Sequence, residues 1–165
     1  MRLSLILCLL FATPAPRANA APTGAAADRA TQTAARRAWP SFRASLRDAL
    51  RRRDREALRR LLASDINYSD GGGDANGDGD ERDDAFAHWD ERGGRGWKAF
   101  ERLLLGGAVP GEGRLASRDG APQLVAPPAI NKRVNVVRGR ISWYAVFEFR
   151  EDRRWYCVVF KECCD

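Results

Sequence analysis

The strongest constraint on the fold lies near the end of the chain. Residues 141–149, ISWYAVFEF, put Ile141, Trp143, Ala145, Phe147 and Phe149 on one face of an extended segment, with Ser142, Tyr144, Val146 and Glu148 on the other. Glu151, Asp152 and Arg153 form a polar turn, after which residues 155–160, WYCVVF, return antiparallel. A run of period two cannot present a single apolar face as a helix, so this hairpin has to lie on something else that is apolar. The partner is supplied upstream, where the period is helical: Phe42, Leu46, Ala49 and Leu50, then Ala57, Leu58, Leu61 and Leu62. Helices first and antiparallel strands later predict an α+β fold, with N-terminal helices packed on a C-terminal antiparallel sheet.

Local signals fill in the order of elements. Pro40 and Ser41 open the first predicted helix, with Ser41 as its N-cap, and Asp54 caps a second helical stretch. Ile66 and Tyr68 alternate with polar neighbours, as in a short strand. Asp83 or Asp84 caps a helix carrying Phe86 and Trp89, broken at Gly93-Gly94-Arg95-Gly96. Trp97, Phe100, Leu103 and Leu104 form the next amphipathic helix, stopped at Gly106 and Gly107. Weaker strand patterns occur at 114–118, 123–126 and 133–137. The chain of 165 residues suits one domain, and its five Trp, seven Phe and three Tyr can supply a core.

The N-terminus has a different character. Residues 1–20 combine Arg2, an apolar run from Leu3 to Ala12 and the small-x-small triplet Ala18-Asn19-Ala20, the form of a cleavable export signal. No later stretch approaches the roughly 20 apolar residues that a membrane-spanning helix needs. The chain is therefore expected to be secreted or periplasmic. Residues 21–40 are Ala- and Thr-rich with few large side chains and are expected to be a flexible tether, transiently helical around Asp28 to Ala38, leaving 41–165 as a single α+β domain. Cleavage after Ala20 removes Cys8 and leaves Cys157, Cys163 and Cys164 in an oxidising compartment. Cys157 can pair with Cys163 or with Cys164, and an intermolecular bond or one unpaired thiol stays open.

Two pieces of the sequence carry a resemblance. The run Asp54-Arg55-Glu56-Ala57-Leu58-Arg59-Arg60-Leu61-Leu62-Ala63-Ser64-Asp65-Ile66, and the closing Trp155-Tyr156-Cys157-Val158-Val159-Phe160 with its charged turn, resemble nuclear-transport-factor-two-like (cystatin-like cone) proteins. In that family a helix and an Asp-capped turn lead into the first strand. The resemblance implies a curved sheet wrapped around helices. It transfers no activity, because the glycine-rich acidic insertion and the Trp97 helix depart from the usual pattern and the family's pocket His or Asp residues have no matched counterpart.

The sharpest spacing is in the acidic segment 70–84. Asp74, Asn76 and Asp78 occupy the first, third and fifth places of a calcium-loop pattern, Gly79 the sixth, and Asp80 the seventh, where a backbone carbonyl is offered. Alternate oxygen ligands and a Gly at the bend let a tight turn wrap one hard cation. The second half departs from the pattern, with Arg82 in the ninth place and Ala85 in the twelfth, where a bidentate Glu belongs. Ca2+ is thus the one cofactor the sequence suggests, on Asp74, Asn76, Asp78 and Asp80.

The net charge of +6 conceals segregation. Residues 29–65 hold eleven Arg against four acids, whereas residues 65–84 hold eight acids and one Arg. An Arg-rich helix can meet an anionic envelope component or polymer. No aromatic residue is interleaved with the arginine cluster at 51–60, which argues against a nucleic-acid partner. The acidic loop can also neutralise the helix within the molecule.

Catalytic signals are sparse. His88 is the sole histidine, with Asp84 four residues earlier on the same predicted helix face. Glu148 stands in an otherwise apolar strand and points away from Phe147 and Phe149, to solvent or to a cavity where it could act as a base. The expectation is a secreted, non-enzymatic binding module of unknown ligand, with calcium at 70–84. The alternatives are a small cone-fold enzyme or small-molecule-binding protein using Glu148 or the Asp84–His88 pair, and envelope binding through the Arg-rich helix.

Overall fold

The computed structural model describes residues 24–68, 80–91, 93–117, 120–131 and 143–162. Helix α1, Gly24–Arg52, is one uninterrupted element with Pro40 inside it. Residues 24–40, expected as a tether, therefore belong to the helix, and Ser41 is an interior residue and not an N-cap. The composition that suggested a tether is also the best helix-forming composition, because Ala loses no side-chain entropy in a helix. Tertiary contact supplies the rest. Ala35 is 1% exposed, and the Trp155 indole N–H donates to its carbonyl at 2.9 Å. Pro40 lacks an N–H for the Arg36 carbonyl, and it sits on the exposed side of α1.

Below Pro40 the helix reads as the apolar period predicts, with Phe42, Leu46, Ala49 and Leu50 buried. Arg53, at φ 53°, turns the chain out of α1. Asp54 then accepts the Ala57 N–H at 2.9 Å and caps the short helix α2, Arg55–Arg59. Strand β1, Leu62–Asn67, buries Leu62 and Ile66.

Helix α3, Arg82–Glu91, carries the buried Phe86 and Trp89, and α4, Arg95–Leu105, the buried Trp97, Phe100, Leu103 and Leu104. Asp83 and Asp84 lie in the first turn of α3, one step inside the expected cap, while the Asp80 carboxylate takes the Arg82 N–H at 3.2 Å. Gly94 adopts a left-handed φ of 71° at the start of α4. A Cβ on Gly96 would meet the Trp89 side chain at 2.7 Å, so only glycine lets α4 close on α3 there.

Strands β2 (Val109–Pro110), β3 (Gln123–Ala126), β4 (Trp143–Phe149) and β5 (Trp155–Glu162) join β1 in a five-stranded sheet of order β1-β5-β4-β3-β2. The α+β class stands, and the sheet is mixed: β1 runs parallel to β5, and the other pairs are antiparallel. Residues 113–115, inside or beside an expected strand, form a 3-10 turn, and β2 had no period to announce it. The predicted strand at 133–137 and residues 141–142 lie outside the described residues.

The hairpin has the expected faces. Ala145, Phe147 and Phe149 lie against the helices with Trp89, Phe100 and Phe160 in one aromatic-rich core. Phe100 and Phe160 stack at 4.0 Å. Pairing shifts between Val146–Val159 and Phe147–Cys157, a bulge that leaves both Cys157 and Phe160 buried in that core. Val125, Ile130 and Val146 form a smaller cluster of their own, with Tyr144 and Val158 packed against it. None of the described helices is long and apolar enough to cross a membrane.

Candidate functional site

The β4–β5 turn and the first turns of α1 enclose an open cleft of about 1000 Å³. Its walls come from Asp28, Thr31 and Gln32 of α1, Leu62 to Ser64 of β1, Arg82, and the hairpin end from Glu148 to Arg153. These segments meet because β5 is the strand that β1 and β4 share, so β1 and the β4–β5 turn come together at one end of the sheet.

The polar groups of the hairpin end are tied in a chain. Arg150 Nε donates to Glu148 Oε2 at 3.3 Å, and Arg150 Nη2 donates to Asp65 Oδ1 at 3.1 Å. The guanidinium lies 5.6 Å from the centre of the Tyr156 ring, within cation–π range. Tyr156 OH donates to Asp152 Oδ2 at 2.6 Å. Burial works against the Arg150 charge, but the hydrogen bond and field of Asp65, then those of Glu148, outweigh it and raise its pKa. The Asp152 hydrogen bond, followed by burial, pushes the Tyr156 phenol above its ordinary value. The result is a fixed cation flanked by two carboxylates, with a phenol locked to a third.

Glu148 thus sits where the cavity alternative for that strand face placed it. Its side chain is 25% exposed, against 70% for Asp65, and it faces the cleft already bonded to Arg150. Asp84 and His88 are not part of this site. His88 packs on the Tyr68 ring at 5.6 Å, Asp84 is exposed, and no hydrogen bond joins them among the described residues.

Of the calcium-pattern residues, Asp74, Asn76 and Asp78 lie outside the described residues, and Asp80 alone is placed. Its carboxylate is bonded to Arg82 at 2.5 Å and faces Arg59 at 3.4 Å. The Arg82 hydrogen bond holds the Asp80 carboxyl below the usual carboxylate range against the effect of burial. Arg59 also pairs with Asp83, and Arg82 donates to the Arg59 carbonyl at 2.5 Å. The end of the acidic segment is therefore pinned to α2 by arginines, as the charge segregation led one to expect. Cys157 is a free thiol, fully enclosed, with its pKa pushed up by burial, and Cys163 and Cys164 lie outside the described residues.

Sequence reasoning missed Arg150, Asp65 and Tyr156. The first was legible as i+2 from Glu148 on the same strand face, and Tyr156 as the residue opposite Glu148 once the hairpin register was drawn. Asp65 was not, because the parallel β1–β5 pairing brings it in. A second concavity of about 420 Å³ adjoins the cleft through Gln32, Ala121 and Pro122, with Trp39, Trp155 and Leu124 in its walls. No family model matches the chain, and neither does any curated protein or solved structure.

Proposed function

We propose that the protein is a secreted or periplasmic binding module, without enzymatic activity, whose cleft takes a small polar molecule. The observation that carries this reading is the chain Asp65–Arg150–Glu148 at the wall of an open concavity. It fixes a cation and a largely covered carboxylate side by side, a complement for a ligand that carries both donors and acceptors. The Glu148 carboxylate already bonded to Arg150 supports binding over the alternative of a pocket base. The capped run into β1 and the closing hairpin, on which the resemblance to cone proteins rests, are adjacent through the β1–β5 pair, which supports a cone-like arrangement.

The test is a thermal-shift screen of sugars, amino acids and polyamines against the full chain and the variants Arg150→Met and Glu148→Gln. The expected result is at least one compound that raises the wild-type Tm and fails to raise that of either variant. If no compound shifts the wild type, or the shifts persist in both variants, the cleft is not the site.

Calcium at 70–84 is a second reading, supported by the spacing of Asp74, Asn76 and Asp78, with Asp80 entering through its carbonyl. The arginines on the Asp80 carboxylate are compatible with that role, since a carbonyl ligand leaves the carboxylate to them. Millimolar calcium should raise the Tm of the wild type and not of the D74N/D78N double variant. Equal melts with and without calcium would remove the reading.

A further inference from the structure

The described arginines from α1 to the start of α3 fall into two groups, apart from Arg43, which donates to the Leu104 carbonyl, and Arg53, which is exposed just beyond the end of α1. Arg51 and Arg52 pair with Asp48, Arg60 with Glu56, Arg55 with Asp90, and Arg59 and Arg82 with Asp80. By contrast Arg29, Arg36, Arg37 and Arg47 are exposed, and no described acid pairs with any of them. All four lie on α1, three of them before Pro40 and Arg47 after it, in what is one continuous helix.

That continuity sets their geometry. At about 100° per residue, Arg29, Arg36 and Arg47 fall within about 20° of one line along the helix, with Arg37 about 80° to one side. The line is about 27 Å long at 1.5 Å per residue. Between the arginines stand Thr33, Pro40 and Ala44, all exposed and all too short to hold a flat surface away. Asp28 lies a quarter turn off the line, toward the cleft, and Asp48 is taken up by Arg51 and Arg52. A row of guanidinium groups that pair with no acid among the described residues, with no apolar side chain between them on that face to insert, matches a surface of anionic headgroups.

We propose that the exposed face of α1 docks on an anionic phospholipid bilayer, through Arg29, Arg36, Arg37 and Arg47, without inserting. This goes beyond the cleft reading and does not depend on it, since none of the four arginines belongs to the chain Asp65–Arg150–Glu148. Docking is electrostatic, so it weakens as salt shortens the screening length.

The experiment is co-sedimentation of the full chain with large vesicles of phosphatidylglycerol and phosphatidylcholine, against vesicles of phosphatidylcholine alone, at physiological ionic strength. The wild type should pellet with the anionic vesicles only. The R36Q/R47Q variant should bind them about thirtyfold more weakly, the share of two arginines at an anionic surface. The R51Q/R60Q variant loses the same formal charge from the paired population and should stay within about threefold of wild type. Thermal melts of both variants check that they are folded. The proposal is overturned if the anionic vesicles do not retain the wild type, or if the two variants lose binding equally, which would make net charge the cause. It is also overturned if soluble polyphosphate binds the wild type while the vesicles do not, which would make the partner a polymer.

Discussion

The two hydrophobic clusters of this molecule are stabilised on different scales. The larger gathers the helices onto the sheet and fills the space with rings: Trp89 meets Trp97, Phe100 and Phe160 edge-on at 5.2 to 5.7 Å, and Phe160 also stacks with Trp143. The smaller has Val125, Ile130 and Val146 at its centre, with half-buried neighbours that include Leu115 of the 3-10 turn at 113–115 and Ala129 of a second one, Pro128–Asn131. The aromatic side buries large areas per residue and gains from ring geometry, whereas the aliphatic side gains little beyond area. The difference teaches where this fold can tolerate change: near the second cluster, and not under the helices.

The comparison can be broken most directly at Phe160. Phe160→Ala removes a fully buried ring from the centre of the aromatic cluster and should cost about 3–5 kcal/mol in a urea melt. A loss below about 1 kcal/mol would show that the helix-covered side is not the dominant core. Gly96→Ala asks how tightly that side is packed. Its new Cβ would lie 2.7 Å from Trp89, and the overpacking should cost about 1–3 kcal/mol by the same measurement. Val146→Ala samples the smaller cluster and should cost about 1.5 kcal/mol, near the transfer value for the groups removed. A cost equal to that of Phe160→Ala would erase the distinction between the clusters.

The smallest expected effect lies outside both clusters, at the pinned end of the acidic segment. The Asp80 carboxyl has its pKa lowered in the folded state, chiefly by the Arg82 hydrogen bond. Its contribution is therefore complete above the ordinary value of 3.8 and is lost as pH falls through the depressed value. The Tm difference between wild type and Asp80→Asn should be constant above about pH 5 and shrink in acid. A difference that grows in acid would contradict the Asp80–Arg82 bond.

Periodic signals were legible in proportion to how local their cause is. The faces of β4, the Asp54 cap, the apolar stripe of α4 and the glycine break before it all depend on neighbours within a few residues, and each is found as read. Helix α1 before Pro40 was legible only as a transient helix, because Ala-rich sequence favours helix but has no apolar period, and its fixed place is tied to Trp155, 120 residues away. The same holds for the cleft: Glu148 was visible in its strand, while Asp65 reached Arg150 only through a pairing between the first and last strands.

The sequence by itself determined the α+β class, the hairpin with its two faces, and the separation of arginines from acids. Those are properties of side-chain order along the chain, and short-range sterics and periodicity are enough to express them. Only the tertiary structure decided that β1 lies parallel to β5, that residues 24–40 continue α1, and which arginines are paired. Each of these depends on contacts between segments far apart in the chain, where loop closure and packing choose among arrangements that local pattern leaves equally open.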